Sequence, residues 1–350
     1  MSNASRLAIK IGMLELKNPI IAAAAEHMID ESGVCAAIAA GAGAVVVKST
    51  NESEVAKDQL QRAEYIALDP SWNAVPWNKH TAENVTLATR SGLSPLQFSE
   101  WLNSIVALDC IARKHETLLI PSLVLSHLDA SLSMAKEIEQ AGLRVLELNI
   151  GTPYGSLATE RAVATELDPK RVSEIVHATC STVSIPVWIK ITGQSERVPE
   201  LAEAAFAAGA QSVVMAGRLL GLIPDLETME PLLGTSLGIG GFWNLPLTCQ
   251  WLALTRQRLG AEKPLIGLNG VRNGRDAARM ILAGATGVGM ASAVMLRGPQ
   301  VLTGAIEQLN EYLISKNMTA QSLIGLAADR RRAFSDMELR TDHWRSFVGS

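Results

Sequence analysis

The chain is poor in aromatic residues, in cysteine and in net charge. Of its 350 residues, 4% are aromatic and 19% are charged, and the formal net charge is −4. With Lys and Arg scattered along the chain, the sequence lacks the basic footprint of a protein that binds a polyanionic backbone. We therefore expect no nucleic-acid partner.

The cysteines form neither a metal site nor a disulfide framework. Cys35, Cys110, Cys180 and Cys249 lie far apart, and none belongs to a C-x-x-C run. Small secreted domains that are stapled by disulfides are much richer in thiols. Because iron–sulfur ligation needs clustered cysteines, we expect no cluster held by this chain alone and no other metal site.

Long hydrophobic runs are also missing. The first residues, MSNASRLAIKIGMLELKNP, lack the apolar core of a signal peptide, and the longest apolar runs elsewhere have the length of a strand. A membrane-spanning helix needs about 20 predominantly apolar residues in a row. We therefore expect a cytoplasmic protein without a membrane partner.

Short apolar blocks recur along the chain instead. Eight of them lie at residues 18–25, 42–49, 118–125, 145–151, 186–192, 212–218, 264–270 and 287–295. Their apolar residues run continuously rather than alternating with polar ones, which is typical of parallel strands buried on both faces. Segments with helical periodicity lie between them, at residues 129–140, 168–181, 198–208, 247–259, 274–282 and 299–313.

Four helix-to-strand junctions share an Ala-Gly pair, with Val or Leu four residues after the glycine. The glycines are Gly41, Gly142, Gly209 and Gly284. Glycine tolerates the left-handed conformation that ends a helix. Repeated strand–helix units of one type predict an α/β fold, a (β/α)₈ TIM barrel. We expect one domain over residues 1–350, with the barrel at about 16–313 and a helical extension at 314–350.

One connection is overlong. Residues 50–117 separate the second and third blocks, too many for one helix and its loops, and long insertions commonly form lids or binding loops over the site. The insertion contains Trp72, Trp77 and Trp101. We expect Trp72 and Trp77 near the mouth of the site; the alternative, that they pin the loop onto the barrel, is equally consistent with the sequence.

The C-terminal ends of the strands carry the candidate functional residues, because TIM barrels place their working groups there. Lys48 and Lys190 each end an apolar block. Two ammonium groups at one barrel mouth would stabilise an anionic ring or enolate, unless their stems lie on the rim with the charges in water. Asn149 ends another block, and its amide must bond either neighbouring backbone or a ligand.

Glycine-rich turns follow the later blocks. The turns after blocks seven and eight predict a phosphate site, because glycine exposes backbone N–H groups and a helix N-terminus favours an anion. The candidate ligands are Asn269, Gly270, Ala291 and Ser292. The cluster GIGG at residues 238–241 would let a flat or bulky group approach the main chain.

Nine short motifs, taken in their order along the chain, resemble those of the FMN-dependent dihydroorotate dehydrogenases and of the related pyrimidine-reducing domain of dihydropyrimidine dehydrogenase. They are L-K-N-P-I-I, V-V-K-S-T, S-G-L, L-E-L-N-I-G-T-P, V-W-I-K-I, G-I-G-G, I-G-L-N-G-V, L-A-G-A-T and R-G-P. The likeness runs from about residue 16 to residue 313.

The resemblance implies an FMN site at named positions. Lys48 and Lys190 would contact the pyrimidine edge of the flavin and stabilise negative charge on the reduced ring. The isoalloxazine would be lined by Ala24, Ser49 and Asn149, the ribityl chain would pack near Gly240 and Gly241, and the phosphate would be held by Asn269, Gly270, Ala291 and Ser292.

The substrate side departs from the family pattern. Of the Asn residues that bracket dihydroorotate, this sequence retains Asn149, whereas Thr89, Tyr154 and Arg218 stand where the family has others or neutral groups. A site built to bond a polar ring discriminates through such groups, so a different substrate is expected.

Thr152 occupies the place of the family's catalytic base, which is Cys in the soluble class and Ser in the membrane-associated class. Its hydroxyl would need activation, and Tyr154 is a second candidate proton donor. Arg218 would either clamp a substrate carboxylate or, the interpretation we favour, pair with Asp225 or Glu227.

The sequence thus predicts an FMN-dependent oxidoreductase of CH–CH groups that transfers hydride between the flavin and a small cyclic or unsaturated substrate other than dihydroorotate. Two alternatives stay open: a flavin-free phosphate-binding lyase or isomerase that forms a Schiff base on Lys190, and a non-catalytic flavoprotein. By analogy we expect a homodimer, and a separate electron-transfer partner is left open.

Overall fold

The computed structural model describes residues 6–152, 162–215 and 217–348. The strands are β1 (Ile9–Ile11), β2 (Leu14–Leu16), β3 (Ile20–Ala22), β4 (Ala44–Val46), β5 (Glu64–Leu68), β6 (Ala74–Val75), β7 (Thr86–Arg90), β8 (Leu118–Ile120), β9 (Ser122–Val124), β10 (Leu146–Asn149), β11 (Val187–Lys190), β12 (Ser212–Met215), β13 (Leu219–Gly221), β14 (Leu237–Gly241), β15 (Leu265–Leu268) and β16 (Ala285–Met290).

The α-helices lie mostly between the strands of the central sheet. They are α1 (Glu31–Ala39), α2 (Glu54–Asp58), α3 (Phe98–Lys114), α4 (Leu128–Gln140), α5 (Pro169–Thr182), α6 (Val198–Ala207), α7 (Leu245–Leu259), α8 (Gly274–Leu282), α9 (Ser292–Arg297), α10 (Gln300–Lys316) and α11 (Ala320–Leu323). Within the described ranges, no helix has the length and apolarity that crossing a bilayer requires.

A parallel sheet closes into the predicted barrel. Its strand order is β8-β4-β3-β16-β15-β12-β11-β10-β9, and all of these pairings are parallel. β8 and β9 are two halves of one strand on either side of Pro121, whose ring nitrogen has no hydrogen to donate. The sheet therefore has eight barrel positions, one for each apolar block. The prediction of a (β/α)₈ TIM barrel is confirmed.

The barrel strands are mostly apolar because both of their faces are covered. β4, β8 and β12 are buried at every residue, and Trp188 in β11 is 1% exposed. Beneath the barrel, β1 and β2 form an antiparallel hairpin. The core thus fills the barrel interior and the layer between strands and helices.

The overlong connection builds a second sheet rather than only a loop. β5, β6 and β7 come from this connection, β13 and β14 come from the segment between β12 and α7, and the five strands pair in the order β13-β14-β7-β5-β6. The junction is the antiparallel pairing of β7 with β14, in which Gly241 lies opposite Thr86. We call this sheet the roof.

Four of the described helices, α1, α2, α3 and α9, are additions to the helical segments predicted from the sequence. α1 follows β3, and α3 packs against α1 and β8. The C-terminal region continues α10 to Lys316 and then contains α11 and two short 3-10 turns. Residues 333–348 are exposed.

The helix-to-strand glycines adopt the predicted conformation. Gly41, Gly142, Gly209 and Gly284 have φ values of 89°, 81°, 110° and 119°. A side chain at Gly142 would meet no atom within 4 Å. The left-handed backbone, rather than space, therefore requires glycine at that position.

We expect Gly142→Ala to destabilise the protein by about 1–2 kcal/mol, the cost of holding an L-residue in the left-handed region. Gly304→Ala is the matched control, because Gly304 lies inside α10 and also has no atom within 4 Å of an added Cβ. That replacement should stabilise the protein by up to about 1 kcal/mol. Urea unfolding measures both, and equal effects would contradict the interpretation.

His27 follows β3, and the burial of its imidazole affects how the stability of the protein depends on pH. Both of its ring nitrogens are buried without a hydrogen-bond partner among the described residues. Burial lowers the pKa of His27 to about 4; Glu26 opposes this shift and Lys48 adds to it. The folded protein therefore keeps this imidazole neutral at pH values where the unfolded chain protonates it.

Because the unfolded chain takes up a proton below about pH 6.5 and the folded chain only near pH 4, stability should fall as the pH falls through this window, by at most roughly 3 kcal/mol. His27→Leu should remove that part of the pH dependence. His177→Leu on the exposed face of α5 should keep it. Unfolding curves between pH 7 and pH 5 distinguish the two, and parallel pH slopes for wild type and His27→Leu would contradict the assignment.

Candidate functional site

A cleft opens where the C-terminal ends of the barrel strands face the roof. Its volume is about 1090 Å³ including the open mouth, which is the upper end of the size range of small-molecule sites. The structure brings thirteen of the predicted site residues to its walls. These are Ala24, Lys48, Ser49, Thr89, Asn149, Thr152, Lys190, Arg218, Gly240, Asn269, Gly270, Ala291 and Ser292.

Lys48 is held at the end of β4 by a carboxylate and by a tryptophan. Its ammonium Nζ lies 2.6 Å from Oε1 of Glu26, in the turn after β3, and the two side chains are only 8% and 14% exposed. The backbone N–H of Lys48 donates to Met28, and its carbonyl accepts the indole N–H of Trp101 at 3.0 Å. The lysine head therefore lies inside the cleft and not in bulk water.

The two charges shift each other's proton affinity. Burial alone would raise the pKa of Glu26, but Lys48 and Arg218 lower it to about 2. Burial lowers the pKa of Lys48, and Glu26 opposes that change. Glu26 is consequently a carboxylate throughout the physiological range, and it lies on the wall of the cleft.

Lys190 has a buried carboxylate of its own. Its Nζ lies 3.7 Å from Oε1 of Glu147, which is 2% exposed inside the barrel. Ser122 donates its hydroxyl to the same carboxylate oxygen at 2.8 Å, and the hydroxyls of Ser122 and Ser49 are 2.8 Å apart. A continuous polar chain thus runs through the barrel core from Ser49 to Lys190.

Asn149 and Thr152 lie at the end of β10. The amide oxygen of Asn149 accepts the N–H of Gly151 at 3.0 Å, and Asn149 is one of the residues that line the cleft. The backbone of Thr152 is fixed by Ala164 and Thr165, but its buried hydroxyl has no hydrogen-bond partner among the described residues. An unpaired buried hydroxyl on a cleft wall is suited to bond a ligand.

The predicted phosphate turns lie together on another wall. Asn269 has a φ of 75°; its side chain accepts the N–H of Gly241 at 3.2 Å and donates to the carbonyl of Gly217 at 3.3 Å. Gly270 has a φ of 107°, and a Cβ there would lie 2.5 Å from the backbone nitrogen of Leu245. Asn269 thus ties the end of β15 to the roof.

The roof contributes a polar contact above the barrel. Arg218 donates a guanidinium N–H to the hydroxyl of Thr89 at 3.0 Å, and its charge also acts on Glu26. Asp225, one of the two acidic partners expected for it, accepts hydrogen bonds within its own turn from Glu227 and Thr228. Arg218 and Thr89 both line the cleft.

Several sequence predictions fall elsewhere. Gly241 adjoins the cleft but is not one of its lining residues, and Tyr154 lies outside the described residues. Trp72 and Trp77 do not line the cleft and are 50% and 37% exposed, so the prediction that they lie at its mouth is not supported. Trp101, in contrast, is buried behind Lys48.

Glu26 and Glu147 are the residues that the sequence prediction missed. Glu147 interrupts the apolar block LELNIG, and a charged residue in a strand buried on both faces needs a partner. That signal was available in the sequence. Glu26 follows the first block directly, and only the folded structure shows that it meets Lys48.

The cleft fits a flavin mononucleotide. A flat ring needs apolar walls and a cationic edge, and the phosphate needs amide donors. Apolar side chains such as Leu87, Leu93 and Val124 line the cleft together with the two lysines. The glycine turns after β15 and β16 lie on the same cleft, where main-chain N–H groups can bond an anion.

Comparison with known proteins gives the same family. The family model described as Dihydroorotate dehydrogenase matches residues 6–313. A dihydroorotate dehydrogenase B (NAD(+)) catalytic subunit of Methanocella arvoryzae is 28% identical over 324 residues, covering 92% of this chain and 98% of that protein. The subunit of the same name from Bacillus pumilus is 29% identical over 200 residues, 57% of this chain; the match spans 63% of that relative's length.

A solved structure shows the same fold. The crystal structure of DHODH in complex with ferulenol from Eimeria tenella superposes with a TM-score of 0.69 at 16% identity, covering 94% of this chain and 90% of that one. Enzymes of the matched family bind FMN, and the residues on the cleft walls fit that cofactor. The resemblance predicted from the sequence is confirmed: this chain belongs to the dihydroorotate dehydrogenase family.

Proposed function

We propose that this protein is an FMN-dependent oxidoreductase that transfers hydride between the flavin and a carbon of a small cyclic or unsaturated substrate. The observation that carries the proposal is the pair of buried lysines, Lys48 and Lys190, each held on a carboxylate at the carboxyl end of a barrel strand. Bound FMN supplies the redox chemistry. The chain supplies placement and charge.

Each residue of the cleft has a role in this proposal. Lys48 and Lys190 would lie at the pyrimidine edge of the ring, where a cation stabilises developing negative charge. Ala24, Ser49 and Asn149 would line the ring, and Gly240 and Gly241 would lie beside the ribityl chain. The phosphate would be held by Asn269, Gly270, Ala291 and Ser292.

We propose Thr152 as the group that holds the transferred proton, with Tyr154 as the second candidate. The support for Thr152 is its buried hydroxyl on the cleft wall, which has no hydrogen-bond partner within residues 6–152, 162–215 and 217–348. A threonine hydroxyl is a weak base on its own, so it would relay a proton to water or to a neighbour instead of retaining it.

We further propose a substrate other than dihydroorotate, although the relatives carry that substrate in their names. The support is the contact between Arg218 and Thr89 on the roof side, where the resemblance places neutral and amide groups. A changed donor and acceptor set changes which ring is accepted.

The quaternary arrangement is also a proposal. The Bacillus and Methanocella relatives are named catalytic subunits, which supports a separate electron-transfer partner. Among the described residues there is no group of three or more His, Cys, Asp or Glu side chains that could hold a metal ion. We propose a homodimer by analogy, and one barrel domain formed by the whole chain.

The Schiff-base alternative for Lys190 is less favourable. The ammonium group of Lys190 is ion-paired with the buried carboxylate of Glu147 at 3.7 Å, and a Schiff base on this nitrogen would give up that pair. A purified protein that is colourless and takes up no FMN on addition would contradict our proposal and favour this alternative. A yellow protein with FMN bound in a ratio of one to one is the result we expect.

The proton relay has a matched pair of variants. Thr152→Val keeps the shape and removes the hydroxyl, and it should slow substrate-dependent bleaching of the flavin absorbance by about 100-fold. Thr152→Ser keeps a hydroxyl and should retain most of the rate. Both rates are measured by stopped flow with the best substrate found in a screen. An unchanged rate in Thr152→Val would remove this residue from the mechanism.

A further inference from the structure

The cleft contains a carboxylate that the proposed redox chemistry does not require. Glu26 lines the cleft wall together with Lys48 and Arg218. It lies in the 3-10 turn that follows β3, and the bond from the Lys48 N–H to the Met28 carbonyl anchors this turn to the end of β4. The position of the carboxylate is therefore set by two adjacent barrel strands.

Glu26 places a negative charge on the wall of the cleft, directly beside the ammonium group of Lys48. Lys48 is paired with Glu26 at 2.6 Å, and Lys190 is paired with Glu147. Arg218 acts electrostatically on Glu26 as well. A carboxylate approaching Lys48 would therefore meet the existing negative charge of Glu26, and like charges placed together oppose binding.

Resting on the function proposed above, we infer that Glu26 is a specificity-determining residue that rejects anionic substrates and selects a neutral ring with an N–H or O–H donor. Its carboxylate offers acceptor oxygens to such a donor and repulsion to an acid. The chemical class of the substrate is thus an uncharged unsaturated or cyclic amide, ketone or enone that carries at least one donor.

Matched anionic and neutral probes test this selection. Orotate and uracil form one pair, and benzoate and benzamide form a second; each is titrated into the FMN-bound protein while the flavin absorbance and the melting temperature are recorded. The wild type should bind the neutral member of a pair more tightly. In Glu26→Gln the anionic member of at least one pair should gain at least about tenfold in affinity relative to its neutral partner.

Glu64→Gln is the control for the loss of one negative charge. Glu64 is also ion-paired with an arginine, Arg90, but it lies in β5 outside the lining of the cleft. Glu64→Gln should leave the affinities for the anionic and the neutral probes unchanged. Glu26→Asp keeps the charge and should keep the preference for neutral probes.

The outcomes separate the two proposals. A protein that binds no FMN contradicts the proposed function. If the protein binds FMN, but no anionic probe has a higher affinity for Glu26→Gln than for the wild type, the inference is contradicted. Glu26→Gln could also be less stable or bind FMN more weakly while the ratio of anionic to neutral probe affinity stays unchanged for both pairs. That result would contradict the inference as well, because Glu26 would then only balance the charge of Lys48.

Discussion

The site depends on two lysine–carboxylate pairs that are buried at the carboxyl ends of the barrel strands. An ammonium group taken out of water without a partner is strongly destabilised and tends to lose its proton. Glu26, 2.6 Å from the ammonium group of Lys48, offsets part of that penalty, and Glu147 provides Lys190 with a carboxylate at 3.7 Å. The barrel thus presents two lysines, each with a carboxylate of its own, on the wall of one cleft.

The second pair extends into the centre of the barrel. Glu147 points inward, where Ser122 bonds it and Ser49 bonds Ser122. A polar chain in a barrel interior is tolerated only when each member finds a partner. The arrangement links the ends of strands that are distant in sequence, so a change at Ser122 would reach Lys190 through the shared carboxylate.

The barrel and most of the cleft walls could be predicted from the sequence because both follow from short-range patterns. Continuous apolar blocks identify strands buried on both faces, and a polar residue that ends such a block lies on the active face. Lys48, Asn149 and Lys190 were found in this way. The roof could not be predicted, because β7 and β14 are short and lie far apart in the chain, and the pairing that joins the two halves of the roof forms only in the folded protein. The partnership of Glu26 with Lys48 likewise exists only in three dimensions.

The tryptophans illustrate the same limit. Trp72, Trp77 and Trp101 lie in one insertion, and composition does not distinguish them. In the folded chain Trp101 packs in the first layer of helices and bonds the backbone of Lys48, whereas the other two are exposed. The side chain that matters for the site is the one that supports it from behind.

The pairing of Gly241 with Thr86 gives the roof a place in the order of folding. Pairing β7 with β14 closes a long loop, which costs more conformational entropy than forming the hairpin of β5 and β7. The half of the roof made of β5, β6 and β7 can therefore form early, and β13 and β14 can join it later. During synthesis β7 emerges first, and its pairing with β14 must wait until residues 237–241 have followed. The cleft is also lined by Ala291 and Ser292, which follow the last barrel strand, so it is complete only after about five sixths of the polypeptide has emerged.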